Sequence, residues 1–440
     1  MKNTPFFTCA KSSLFWLLLL AGTGMLSAQT PILNLSDTTT ISRSENAQTA
    51  PTINAEGWNQ LDAKFMTFNL GLAVLYDYNV VTQDDNNIRQ VGEVKDAGEF
   101  RADRFIMTGK MRFANRKNPW RYMVSLNYNG LDAPPGKKTL DFIDYNLEIP
   151  FGENEKGGWL TLGKQKEGVG HEYVAPGTQG TYIERGSGAP MLVRQRNIGV
   201  RYSNTAYDKR MSYTVGVFNN WWETGNSFDD NGGQFTTRVT GLPHYVSDRD
   251  YIHIGAAFRN TGPTNGQLTY KAKPEVNTAP SFINTGAFDA DGANTLMFEF
   301  IEARGPVLIM AEYMRCFVNS DAVNDPQLQY WQIGASWMVT GENRRYNKNT
   351  GSLGKLIPNS PFPFRKGGGP GAIELAARYT HSDATDRELA GGELGRFTTA
   401  VGWFLNTHMR LEVNYGRSTL DRNDLTGNAD FWQFRAQFEL

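Results

Sequence analysis

The chain reads as an all-β protein: a transmembrane antiparallel β-barrel of roughly sixteen strands with one loop folded inward. Three observations predict this. First, Lys2 and Lys11, the apolar run from Leu14 to Leu20 and the small-residue ending Leu26-Ser27-Ala28 form a secretory signal, with cleavage expected after Ala28. The apolar run is too short to span a bilayer as an anchor, and no cysteine stands at the cleavage site to carry a lipid. Second, short segments that alternate apolar and polar recur from Leu61 to Leu440, separated by Gly, Asn and Asp clusters. Aromatic residues make up 12% of the chain and glycine occurs 45 times. Third, the chain ends inside one of these segments, which suits a barrel whose last strand pairs with its first. No later stretch is apolar enough for a transmembrane helix.

Residues 1–28 are therefore the signal peptide, 29–60 a Thr-, Ser-, Asn- and Gln-rich flexible segment, and 61–440 the barrel. The clearest strand is Lys64–Asn79. Met66, Phe68, Leu70, Leu72, Val74, Tyr76 and Tyr78 form one face, and Thr67, Asn69, Gly71, Ala73, Leu75, Asp77 and Asn79 the other. Successive side chains of a strand point to opposite faces, and lipid outside with water inside demands such a pattern. The same reading gives strands around Arg104–Phe113, Trp120–Asn129, Ile143–Ile149, Trp159–Lys164, Asn197–Tyr202, Met211–Val217 and Thr236–Val239. Further strands follow around Ile252–Arg259, Thr295–Glu302, Pro306–Met314, Trp331–Thr340, Ile373–Thr380, Phe397–Trp403, His408–Tyr415 and Trp432–Leu440. Thr295–Glu302 and Pro306–Met314 are apolar on both faces, so inside and outside are weakly marked there. Met66, Leu70, Val74, Leu411, Val413, Phe434 and Phe438 are expected to face lipid.

Connections mostly alternate short and long. Gly341–Gly371 breaks the rule, being long on the short-turn side. A soluble sandwich would also alternate, but this many strands without disulfides would split into domains, and no linker interrupts 61–440. Cys9 leaves with the signal, so Cys316 stands alone and no intramolecular disulfide forms. Lys and Arg total 44 against 45 Asp and Glu, so no charge excess points to nucleic acid.

The polar strand faces carry Arg104, Lys110, Arg112, Arg121, Lys164, Arg201, Arg238, Arg259, Arg378, Arg410 and Arg435. The acids there are Asp77, Asp144, Glu148, Glu374, Glu412 and Glu439. A charge at the lipid midplane costs roughly 2–4 kcal/mol, so these side chains belong in the lumen. Rings of Arg and Lys favour anions; the plainer alternative is a network of base–acid pairs along the wall. Between two short strands, Gln165–Gln195 makes a loop of about thirty residues against the usual 4–6. Its Lys166, Arg185 and Arg194, with Arg196 next after it, lie among many glycines. Folded inward, it narrows the pore with Lys166 and Arg185 at the constriction; folded outward, it is a surface loop.

Catalysis is not indicated. The mature chain has His171, His244, His253, His381 and His408, but no Gly-x-Ser-x-Gly and no metal-ligand spacing of Cys and His. Asp289-Ala290-Asp291-Gly292 lacks the continuation of a calcium loop and reads as a turn. No cofactor is expected.

Several motifs together resemble the phosphate-selective porins of the O and P type from bacterial outer membranes. Leu162-Gly163-Lys164-Gln165-Lys166-Glu167, running on through Glu172-Tyr173 to Glu184-Arg185, is similar to that family's strand and pore-constricting third loop. Lys273-Pro274-Glu275 with Asn284-Thr285-Gly286, Gly305-Pro306 with Glu312-Tyr313, Thr340-Gly341-Glu342-Asn343-Arg344, and Ile373–Tyr379 fit later segments. The resemblance covers about Leu61 to Leu440. It implies an outer-membrane trimer of sixteen-stranded barrels whose lumen has a ladder of arginines leading to a basic constriction. Lys164, Lys166, Arg185, Arg238 and Arg378 stand at matching positions. Two departures are Gly168-Val169-Gly170-His171 in place of a Pro-Phe-Gly-Leu-like run, and Lys273 in place of Arg. The partners implied are small anionic solutes, with phosphate or polyphosphate suspected, outer-membrane lipid, and two further copies of the chain. A general diffusion porin and a structural or adhesive barrel with a plugged lumen are the alternatives.

Overall fold

A strand in hydrocarbon has no water to satisfy its backbone, so strands cross a bilayer only in a sheet without edges. The computed structural model describes residues 59–101, 104–113, 118–128, 140–152, 156–363 and 367–440. The signal peptide and the segment before residue 59 lie outside these.

Sixteen strands close into one antiparallel barrel. They are β1 (Thr67–Gln83), β2 (Arg104–Met111), β3 (Trp120–Tyr128), β4 (Leu140–Pro150), β5 (Trp159–Gln165), β6 (Asn197–Ala206), β7 (Met211–Phe218) and β8 (Gln234–Ser247), followed by β9 (Asp250–Thr261), β10 (Gly292–Arg304), β11 (Val307–Asn319), β12 (Gln327–Met338), β13 (Ala372–Asp386), β14 (Leu389–Phe404), β15 (Met409–Arg422) and β16 (Leu425–Glu439). Each pairs with the next, and β16 returns to β1 in the register Ala73↔Glu439 to Gln83↔Ala429. β1 outruns its closing partner. The short strand Gln60–Asp62 continues the line of β16 alongside Thr67–Asn69, and Ala97–Phe100 continues the line of β2 alongside Tyr76–Asn79. Both cover backbone that would otherwise stand as open edge.

In β1 the row Ala73, Leu75, Asp77 and Asn79 is buried inside, while Tyr78 of the opposite row is exposed outside. Phe298, Ile333, Val401, Leu411, Trp432 and Phe434 are exposed on the outer face of later strands. A strand stands at each of the sixteen positions read from the sequence, and several run further than the alternation indicated. β14 begins at Leu389, well before Phe397, because inward Leu389 and Leu394 belong to an apolar cluster inside the barrel, which erases the polar half of the pattern. The same cause explains β10 and β11. Their inner rows include Met297, Met314, Cys316 and Val318, which pack on Val169, Met191, Leu192, Phe282 and Ile283 from two loops.

The two ends of the barrel differ. One carries the short connections 207–210, 248–249, 305–306 and 405–408, together with both chain ends of the barrel. The other carries the long loops 84–103, 166–196, 219–233 and 262–291. The connection 339–371 lies at the short-turn end, as its parity required.

Candidate functional site

The loop 166–196 starts where Gln165 ends β5. Gly168 and Gly170, at φ +84° and +74°, supply backbone that L side chains adopt rarely, and the chain turns into the lumen. It then crosses to the far wall. Arg410 donates to the Gly180 carbonyl at 2.7 Å, Arg435 to the Ile183 carbonyl at 2.9 Å and Arg378 to the Glu184 carbonyl at 3.0 Å. Gln437 donates to the Thr178 carbonyl at 2.9 Å. Near its root, Arg201 donates to the Lys166 carbonyl at 2.9 Å, and Arg259 pairs with Glu167 at 2.6 Å. Close approach seals the contact with the wall: a Cβ on Gly188 would meet the Tyr330 ring at 2.1 Å.

Two other segments enter. In the loop 262–291, Glu275 accepts from Arg378 at 2.7 Å and from Thr380 at 2.6 Å. From the opposite end, 339–371 brings Arg344 onto Glu374 at 2.5 Å and Lys355 toward Glu439 at 3.9 Å. Its Thr350 and Gly351 carbonyls each accept from Arg238 at 2.7 Å. Arg344 also reaches the Gln179 carbonyl at 2.5 Å, so the segments from the two ends meet.

The sequence-predicted bases thus divide by position. Arg201, Arg238, Arg259, Arg378 and Arg435 point inward, but acids and loop carbonyls hold them; Arg238, for example, is forked onto Glu299 by two bonds of 2.7 Å. Arg121 lies over the Trp159 ring at 3.6 Å. Lys110 stands opposite Arg121 in the inward row of β2. Arg112 differs from its expected lumen position: β2 ends at Met111 and Arg112 is exposed beyond it. Lys164 shares strand parity with Leu160 and Leu162 and donates to the Phe142 carbonyl at 2.7 Å. Lys166 also differs. It is buried, and its ammonium donates to the Val174 and Ala175 carbonyls at 3.2 and 2.8 Å, so it fastens the loop to itself. Burial pushes its pKa well down, with Arg196 and Arg185 adding to the effect.

A cavity of about 770 Å³ remains. Its charged lining is Arg101, Arg104, Lys164, Arg185, Arg194, Arg196, Lys271, Lys273 and Arg435 against Glu172, Glu184 and Glu275. Asp77 and Asp144 pair with Arg435 and Arg196 from behind, and the bases still outnumber the acids. Arg185 leans over the Tyr173 ring at 4.8 Å and donates to the Glu172 carbonyl at 2.7 Å. Burial lowers its pKa, yet an arginine stays charged in a protein. Arg101 and Lys271 had no sequence signal as lining residues: the first lies beside a break in the strand pattern, the second in a hairpin, Gln267–Ala272 with Ile283–Asp289, hidden inside a loop.

The profile of the family described as phosphate-selective porin O and P matches residues 68–440. Among solved structures, OmpT of Vibrio cholerae, an outer membrane protein folded in vitro and in its trimer form, superposes with a TM-score of 0.54 at 12% identity, covering 86% of this chain and 100% of that one. An anion-selective porin from Comamonas acidovorans gives 0.52 at 11%, over 85% and 100%. The outer membrane channel DcaP of Acinetobacter baumannii gives 0.52 at 12%, over 86% and 99%. At these identities the likeness is one of fold. An uncharacterized protein of Caulobacter vibrioides is 33% identical over 87 residues, which span 20% of this chain and 16% of that relative.

Proposed function

The chain belongs to the phosphate-selective porin O and P family, and from that premise we infer that this outer-membrane channel passes small anions by diffusion, phosphate or short polyphosphate among them. The observation that carries the reading is the excess of bases over acids lining the cavity of about 770 Å³ in the lumen. A solute passing there sheds part of its water, and charge-assisted donors replace it. The planar fork of arginine matches phosphate oxygens. Affinity must stay modest, since a tightly held ion blocks flow. The staples such as Arg238 with Glu299 cancel their own charge and leave selectivity to Arg104, Arg185, Lys271 and Lys273.

In this reading the signal peptide is removed after Ala28 and the long-loop end faces outward. Three copies associate through the wall of short strands β2–β7, whose outer face exposes Phe105, Val200, Val215 and Val217. An anion-selective neighbour and a neighbour described in its trimer form share the fold, which supports anion passage and the trimer. The test is the reversal potential of single channels in a salt gradient. Anion selectivity is expected, with lower chloride current when millimolar phosphate is added. Cation selectivity overturns the reading, and indifference to phosphate reduces it to an unspecialised anion pore. The meeting of inward segments from both ends favours one further reading, a closed structural barrel, which absence of any conductance would establish.

A further inference from the structure

We propose that His171, His253 and Glu299 form a buried binding site for a divalent transition ion of the zinc class, where the inward loop meets the barrel wall. His171 comes from the loop, His253 from β9 and Glu299 from β10. One donor atom from each lies within 4.8 Å of the other two. All three are buried, at 6%, 0% and 4% exposure. Two imidazoles and a carboxylate are a donor set that zinc takes readily, with further positions left open.

The surroundings point the same way. The Nδ1 atom of His171 is buried with no hydrogen-bond partner among the described residues, a costly state for a polar atom. Burial pushes the His171 pKa down to about 3, which keeps the ring in the neutral form that metals bind. His253 has Nδ1 on the Tyr346 hydroxyl at 2.6 Å and Nε2 toward Glu299 at 3.3 Å. A neutral imidazole has one N–H. Nε2–H donates to Glu299 while Nδ1 accepts from the Tyr346 hydroxyl; with the ring proton moved to Nδ1, which then donates to the Tyr346 oxygen, the Nε2 lone pair and a carboxylate oxygen stand side by side as two donors for a cation. Arg238 grips both Glu299 oxygens, yet each oxygen keeps a second lone pair. Such outer partners orient ligands in metal sites.

Three donors around one zinc ion stand about 3.4 Å apart, so the site must tighten slightly. Gly168 and Gly170 give His171 the backbone freedom to do so. His171 also lines the large cavity, which provides the route in. Because that route is basic, binding is measured at equilibrium.

The experiment is calorimetric titration of the untagged full chain, folded in detergent, with Zn²⁺ and with Mg²⁺. One Zn²⁺ per chain and no Mg²⁺ are expected. His171→Gln should weaken Zn²⁺ binding by more than tenfold, and Tyr346→Phe by about tenfold through lost orientation of His253. Absence of Zn²⁺ binding, or unchanged affinity in His171→Gln, overturns the proposal. Zinc-edge X-ray absorption of the wild-type protein reads the site without a variant: scattering from two imidazoles supports it, and one or none refutes it.

Discussion

A buried arginine in this lumen holds chain more often than it meets solute. Arg378 shows the logic, since it touches Glu172, Glu275 and the Glu184 carbonyl at once. Taking Glu275 away leaves Arg378 on Glu172 alone and strips Arg396, 3.4 Å from the same carboxylate, of its paired acid, and an uncompensated buried charge costs roughly 3–5 kcal/mol. Glu275→Ala should therefore lower the thermal midpoint of the folded barrel, read by the loss of its compact form on unheated gels. The two loop bases predict opposite outcomes. Arg185→Glu should cut the anion-to-cation permeability ratio several-fold, because the guanidinium faces the cavity. Lys166→Met should leave that ratio nearly unchanged while weakening the loop, because its ammonium serves two carbonyls; single-channel recordings of both variants check this. The sequence showed both residues as basic and in the right loop. It could not tell them apart, since the difference lies in which way each side chain leaves a glycine-bent backbone. Glu172 and Glu275 stood in the family-like motifs, but their hold on the arginines was not legible, because a lone acid in a loop has no pattern that names its partner.

At the level of elements, alternation made the strands readable wherever water stood inside. It failed where loops pressed apolar side chains on the inner face, as on β10, β11 and the start of β14. The same reasoning fixes the register of β1. Leu70→Arg would put a charge into hydrocarbon at roughly 2–4 kcal/mol near the midplane. It should impair insertion into lipid vesicles, while Gly71→Arg on the inner row should fail through packing even in detergent. The connection 339–371 was legible as an oddity of length, though not as a further inward segment, because its Arg344 and Tyr346 find partners far along the chain. Shortening it between Arg345 and Leu356 should raise single-channel conductance, and unchanged conductance would place it off the conducting path.

For the whole molecule, closure depends on one seam. Asp77 of β1 and Arg435 of β16 stand opposite each other and form two bonds of 2.7 Å. Arg435 also donates to the Ile183 carbonyl. Exchanging the pair as Asp77→Arg with Arg435→Asp keeps opposite charges across the seam but moves the donor off the loop. The expected result is a barrel that still closes, with a loosened loop and noisier current, while Arg435→Met alone should lose stability as well. Closure was foreseeable from the run of about sixteen alternating segments, since hydrocarbon tolerates no open sheet edge. The coupling of seam to loop was not, because it rests on one side chain reaching two distant partners.

That coupling bears on how the protein fails. A ribosome writes Arg435 after every loop it will hold. A message cut short before that codon yields a chain that can neither shut its wall nor fix its constriction. The two defects arrive together, so truncation should produce no inserted protein at all. A cell carrying such a lesion would lose a solute route and keep its permeability barrier, where a plug fastened only to early strands would have left a wide leak.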